Sequence, residues 1–255
     1  MEERGSQTIA TVERAIDVLM LFTKTKQATL GVTEIASELV MSKAAVHRIL
    51  SSLKAKGLLE VHDESRRYAL GPANLALGLA YLERIDIREV AGPELARLCE
   101  VTGETATLSI RSGPTRTYVS QVTPDREVKM TVPLGRPYPL HTGSSSKAFL
   151  AFLGEEEAEQ YLAGPLEKLT DNTIVDVVKL RAELKKIRKA GYAISFAERQ
   201  AGAASVAAPV FDHQGRPSAV ISVCGPIERF RGEADDAAKL LLEATGRLSA
   251  RFGGR

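Results

Sequence analysis

Residues 42–57 carry the pattern that most narrows what this chain can fold into. Val46, Ile49, Leu50 and Leu53 recur at i, i+3, i+4 and i+7, the apolar stripe of a short amphipathic helix. Ser42 stands before it as a side-chain cap and Gly57 after it as a left-handed stop. The segment also holds Lys43, Arg48, Lys54 and Lys56 and no acid, and the face opposite the stripe is made of Lys43, Ala44, His47, Ser51 and Lys54. One such helix cannot bury its own stripe, so its neighbours decide the fold.

Those neighbours are short and regular. From residue 8 to residue 24, Val12, Ala15, Ile16, Leu19 and Phe22 fall at three- and four-residue steps, which predicts a first helix. A second short helix is expected over residues 33–39, with Thr33 as its N-cap and Ile35, Ala36 and Leu39 on one face. Two brief strand-like runs, 58–62 and 67–70, flank the polar tip Asp63-Glu64-Ser65-Arg66 and predict a hairpin. Three short helices followed by a hairpin form the winged helix-turn-helix plan. A basic helix by itself is as well explained as a solvated face; in this order of elements it predicts a DNA reader. Lys43 and His47 suit base edges, while Ser42, Ser51, Lys54 and Arg48 suit phosphates. Thr33 and Ala44 complete the candidate contact set on the helices, and Arg66 and Arg67 supply wing cations.

Leu75, Leu79 and Leu82 predict a linker helix from residue 72 to 83. The rest mixes strands and helices. A helix over 87–101 stops at Gly103, hairpins join 105–111 to 115–122 and 206–212 to 218–224, and another strand is expected over 128–132. Helices are expected over 144–153, 155–162, 175–190 and 233–251, with a strand at 192–196 between the last two. The fold class is therefore α+β, divided as 8–70 reader, 71–86 linker helix and 87–255 second domain. Ser144-Ser145-Ser146 behind Gly143 opens a helix, whose free N–H groups suit a carboxylate, although serines there also serve as plain caps. Ser222 and Cys224 alternate along one strand and share a face.

At 255 residues the chain is long enough for two domains. Net charge is only +2, so a nucleic-acid partner is argued from where the charges sit. No run approaches the roughly 18 apolar residues of a membrane span. The N-terminal stretch has acids at once and no signal-like apolar core. Cys99 and Cys224 form no CxxC pair and the four histidines show no metal spacing. The expectation is a cytoplasmic protein with reduced thiols, no metal and no cofactor.

Several motifs resemble the IclR family of bacterial transcriptional regulators: Val12-Glu13-Arg14-Ala15, the reading helix Ala45-Val46-His47-Arg48-Ile49-Leu50, and Gly57-Leu58-Leu59. In the second half Val132-Pro133-Leu134-Gly135, Pro139-Leu140-His141-Thr142, Lys147-Ala148, Ala207-Ala208-Pro209-Val210 and Ser222-Val223-Cys224-Gly225-Pro226 match as well. The resemblance implies a GAF-like C-terminal domain that binds a small organic acid from a catabolic pathway, and dimers, paired into tetramers in many members, on a palindromic double-stranded operator. It implies Met130 and Tyr138 on the apolar side of the effector pocket, Ser144 and Ser145 at its backbone-donor turn, and Ser195, Ser205, Ser222 and Cys224 on its polar wall. Two departures stand out: serines replace the small Ala and Gly residues common at the turn, and Ser195 stands where an acid is common. The larger side chains Tyr138, Met130 and Phe196 leave an aromatic acid open as the effector.

A repressor is the expected function, with a ligand-responsive activator and a Ser/His hydrolase as alternatives. The hydrolase would need His141 to serve the serines at 144–146, which lie in no GxSxG elbow.

Overall fold

A computed structural model of the chain describes residues 9–25, 27–62, 65–82 and 86–254. The expected helix start at Thr8, the Asp63-Glu64 tip and the end of the linker at residues 83–85 lie outside them. The chain divides into two compact units, 1–84 and 85–255.

The first unit holds α1 (Ala10–Lys24), α2 (Val32–Glu38), α3 (Lys43–Ala55), β1 (Leu59–His62), β2 (Arg67–Leu70) and α4 (Ala73–Leu82). Its core is Val18 and Phe22 from α1, Ile35 from α2, Val46, Ile49, Leu50 and Leu53 from α3, with Leu30 and Leu59. The periodic stripes thus meet one another, each buried side chain contributing about 1.5–3 kcal/mol relative to exposure. Strands β1 and β2 pair antiparallel, His62 opposite Arg67. Leu30 adds a third strand position, exchanging both backbone hydrogen bonds with Tyr68 at 2.9 Å.

Helix α2 starts differently from the sequence expectation. Its N-cap is Gly31, and Thr33 lies inside the helix, exposed. The competing group is Glu34, whose Oε2 accepts the Gly31 N–H at 2.7 Å and closes the end from within the helix.

The second unit contains α5 (Ile87–Thr102), β3 (Thr105–Ser112), β4 (Thr115–Val122), β5 (Pro137–Pro139), α6 (Ser144–Ala151), α7 (Glu155–Leu162), α8 (Val177–Ala190), β6 (Ala193–Phe196), β7 (Ala203–Phe211), β8 (Pro217–Pro226), α9 (Ile227–Phe230) and α10 (Ala234–Arg251). Six strands form one sheet in the order β5-β4-β3-β8-β7-β6, each pair antiparallel. On one face Ala106, Leu108, Val206, Ala208, Ile221 and Val223 pack on α5 and α10. Alternation turns Ala193, Ala207 and Val220 to the other face, where α6, α7 and α8 cover them. Further along β3, β4, β7 and β8 that second face becomes polar, with Thr107, Ser109, Arg116, Ser205 and Ser222.

The strand expected over 128–132 does not form. Gln121 takes both backbone groups of Val132, accepting its N–H and donating to its carbonyl at 3.0 Å, and the Thr105 hydroxyl donates to the Met130 carbonyl at 2.5 Å. Side chains therefore supply what a ladder would have supplied. The partner of β4 is instead β5, with Arg116 opposite Tyr138.

Between α2 and α3, Val40 sits at φ 51° and is 93 % exposed. A β-branched side chain in the left-handed region is strained and here packs on nothing. Val40→Gly is expected to stabilise the protein by about 1 kcal/mol, read as a rise in the denaturant midpoint at unchanged slope.

Candidate functional site

The first unit presents its chemistry on α3. Ser42 Oγ accepts the Ala45 N–H at 3.2 Å, which caps the helix and leaves its first turn open at the surface. Lys43, Ala44, His47, Ser51 and Lys54 are all exposed and follow one another along one side. Arg48 points round the helix and lines a groove of about 310 Å³ shared with Thr11, Arg14 and Ala15 of α1.

The two wing cations separate. Arg66 is exposed, at φ 51° in the turn. Arg67 is engaged inside the unit: its guanidinium donates to Thr29 Oγ1 at 3.0 Å, the Thr29 carbonyl at 2.9 Å, Gln27 Oε1 at 3.1 Å and Glu34 Oε2 at 2.7 Å. These bonds fasten β2 to the chain before α2. The Gly31 N–H, and after it the Arg67 guanidinium, hold the Glu34 carboxyl below its usual range.

In the second unit a small cavity opens on the polar face of the sheet. Met130, Ser144, Ser195, Ser205 and Cys224 line it, as do Arg116, Tyr118, Glu198 and Arg199, around about 20 Å³ of free space, room for one water. Ser144 and Ser205 share a hydrogen bond at 2.7 Å. Tyr138 stands behind the wall, edge-on to Tyr118 at 5.7 Å. Ser222 is turned to Thr107 at 2.6 Å, and Ser145 is buried behind the lining. Five of the eight expected pocket residues thus reach the cavity itself.

Arg116 is the residue that sequence reading passed over. It is 1 % exposed, and its three nitrogens donate to Ser146 Oγ at 2.8 Å, Ser109 Oγ at 3.3 Å and the Tyr118 hydroxyl at 3.0 Å. All three acceptors are neutral. Its guanidinium also stacks 4.0 Å from the Tyr118 ring centre, and that of Arg199 lies 5.1 Å from the Tyr138 centre. Among the described residues no carboxylate forms an ion pair with either arginine, and burial pushes Arg116 below its ordinary pKa. The signal was alternation: Arg116 and Tyr118 share a strand face, and a polar residue on the inner side of a covered sheet marks a site.

Glu198 is placed by a tight loop. Ala197, at φ 57°, donates to the Ala203 carbonyl at 2.7 Å, while the Thr170 and Thr173 hydroxyls donate to the carbonyls of residues 197 and 198. Lys147, fully buried, spends its donors on Glu198 Oε1 at 2.6 Å, Glu183 Oε1 at 3.1 Å and the Ile194 carbonyl at 3.1 Å. Glu198 Oε2 has no hydrogen-bond partner among the described residues, an omission worth about 1–3 kcal/mol. Burial outweighs Lys147 and raises the Glu198 pKa.

His141 serves neither Ser144 nor Ser145. Its Nδ1 is bonded to the Tyr161 hydroxyl at 2.7 Å and its Nε2 to the Glu167 carbonyl at 2.9 Å, so no Ser–His dyad is assembled. Burial pushes the Cys224 thiol up to about 12, away from its thiolate form.

A winged helix-turn-helix with an acid-free reading helix, on one chain with an α+β domain holding an enclosed polar cavity, defines a helix-turn-helix transcriptional regulator. The description of the IclR helix-turn-helix domain matches residues 11–63, and that of the bacterial transcriptional regulator IclR C-terminal domain matches residues 79–250. This chain belongs to the IclR family. It is 36 % identical to the HTH-type transcriptional regulator BhcR of Paracoccus denitrificans, over 94 % of this chain and 86 % of that one. It is 28 % identical to the transcriptional repressor IclR of Escherichia coli K12, over 89 % and 84 %. The solved structure of Pseudomonas aeruginosa HmgR is similar at a TM-score of 0.82 and 30 % identity, covering 96 % of this chain and 99 % of that one.

The His141 environment carries a pH signature. Burial lowers its pKa below the ordinary 6.5, so the folded state resists protonation. Its contribution is complete above pH 6.5 and is lost as pH falls from there through the depressed native value. Stability of wild type measured by urea unfolding is expected to decline below about pH 6.5, and His141→Gln is expected to flatten that decline.

Proposed function

We propose that this chain is a sequence-specific DNA-binding repressor of a catabolic operon, controlled by a small organic acid, with residues 8–70 as reader, 71–86 as linker and 87–255 as effector domain. The observation that carries the reading is the exposed, acid-free stripe of α3 at its Ser42-capped start. Lys43 and His47 reach base edges from the helix N-terminal half, with Ala44 between them small enough for close approach. Ser42, Ser51, Lys54, Arg48 and the wing's Arg66 meet the phosphates, and Arg67 acts by holding the wing in place. Thr33, exposed near the start of α2, is positioned for a further backbone contact. The Escherichia coli relatives IclR and AllR are named repressors, which supports the sign of regulation.

The effector is an acid because the cavity holds more cation than anion: Arg116 and Arg199 have no carboxylate partner among the described residues, while Lys147 is matched by Glu198. Ser144, Ser195 and Ser205 supply hydroxyls, Met130 and Cys224 the apolar side. Ser145 contributes through the first turn of α6, whose N–H groups no helix can satisfy internally. Tyr138 and Ser222 brace the wall through Tyr118 and Thr107. Ligand acts through its different affinities for DNA-competent and incompetent geometries.

A second copy of the chain completes the reader. Val12, Ile16 and Met20 recur along one side of α1 and are about half exposed, at 51 %, 52 % and 48 %. Covering that stripe with its own image pairs two reading helices for a palindromic site.

Combining Lys43→Ala, His47→Ala and Lys54→Ala is expected to weaken binding to a selected operator by about 100-fold or more and to lower the salt slope by about one, measured by fluorescence anisotropy across a salt series. Unchanged affinity would remove DNA reading from α3. Ile16→Glu is expected to shift the sedimentation equilibrium from dimer towards monomer; a wild-type monomer would end the pairing proposal.

A further inference from the structure

We infer that the cavity in the second unit selects a 2-hydroxy acid over the corresponding 2-oxo acid, with Arg116 recognising the carboxylate and Glu198 the hydroxyl. The inference rests on the organic-acid reading above and narrows it. Two observations carry it, one for each end of the ligand.

The first is the uncompensated positive charge. Arg116 is held in place by three neutral oxygens, from Ser146, Ser109 and Tyr118. A guanidinium carries five N–H groups, so two donors remain beyond those three bonds. Arg199 adds a second cation on the same cavity. A planar, buried guanidinium fits a carboxylate far better than a neutral oxygen. The α6 helix begins at the same place: Gly143, at φ 80°, and Ser144 line the cavity, and the first turn carries N–H groups that the helix leaves unpaired.

The second is the orphaned acceptor. Glu198 is 7 % exposed and lines the cavity; Lys147 fixes one oxygen, the Gly143 N–H also approaches the carboxyl, and Oε2 has no donor in full hydrogen-bond geometry among the described residues. Paired with the Lys147 ammonium as a carboxylate, Glu198 accepts, so the ligand group that suits Oε2 is an O–H or N–H. A 2-oxo acid brings a second acceptor there and is repelled. A 2-hydroxy acid brings the donor. The Gly143 N–H, immediately before the first turn of α6, approaches the Glu198 carboxyl and so sets it beside the helix start; an acid group held at that start puts the donor on the carbon next to it. A 2-amino acid also donates, but as a zwitterion it leaves the two arginines without a net anion, so the hydroxy acid is preferred.

The free volume of about 20 Å³ is smaller than any such acid. Binding therefore requires the wall to move, and we assign that movement to Arg199, which is half-buried and without an ion pair among the described residues.

Isothermal titration of the full-length chain with paired acids tests this: L-lactate against pyruvate, and mandelate against benzoylformate, with L-alanine as the amino-acid arm. The hydroxy member of at least one pair is expected to bind tighter than its oxo partner by about tenfold or more. Arg116→Met is expected to abolish binding of both members, and Glu198→Gln, whose amide can donate to an oxo group, to erase the preference. Because Glu198 also pairs with Lys147, the wild-type comparison decides the matter without the variants. Oxo acids binding as tightly as hydroxy acids, or alanine binding tightest, overturns the selection while leaving an acid effector intact. Silence from every acid overturns the effector reading itself.

Discussion

A residue in a strand faces one side of its sheet, and its neighbours face the other; the second unit is organised around that constraint. Six antiparallel strands are covered on both faces, so every second side chain must either be apolar or find polar company indoors. The face under α5 and α10 takes the apolar option throughout. The face under α6 changes character along its length, from Ala193, Ala207 and Val220 to Thr107, Ser109, Arg116, Ser205 and Ser222. Two of the three serines at the start of α6 answer that change: Ser144 meets Ser205 and Ser146 meets Arg116. The cavity is the residue of this matching, the place where hydroxyls and charges were brought together without all being used up.

The first unit was more legible than the second, for a physical reason. Val46, Ile49, Leu50 and Leu53 repeat within one helix, and the periodic stripe announces both the element and the side it buries. Ser42 and Gly57 act locally, and both stand where their chemistry places them. Thr33 misled because two neighbouring residues can cap the same helix, and the choice went to Glu34, which Arg67 holds from 33 residues away. The same long-range contact hid the task of Arg67. The strand expected at 128–132 had the right composition, but Gln121 and Thr105 satisfied its backbone before any strand did. For the pocket, the serines and Met130 came from family resemblance, whereas Arg116 belongs to no local motif. Its importance appears only when β4 is seen to be covered on both sides.

The two units solve opposite problems with similar means. In the first, charge is kept outside: Lys43, His47 and Lys54 stay exposed, and Arg67, drawn partly inward, is matched by Glu34. In the second, charge is taken inside and only half matched. Lys147 has Glu198 and Glu183, but Arg116 has hydroxyls and aromatic rings alone. Burying a charge is tolerable when polar groups surround it, and it stays responsive when none of them is an opposite charge.

The hydroxyl pairs Ser144–Ser205 and Thr107–Ser222 have a property that carboxylates and ammonium groups lack. In each pair either oxygen can be the donor, and a rotation about one bond exchanges the roles. The wall can therefore present a hydrogen or a lone pair to an incoming group without gaining or losing a proton from solvent. Such a rotor adapts to the polarity of a neighbouring group by turning, at no cost in ionisation, which leaves the charged side chains around it to carry whatever response to acidity the wall has.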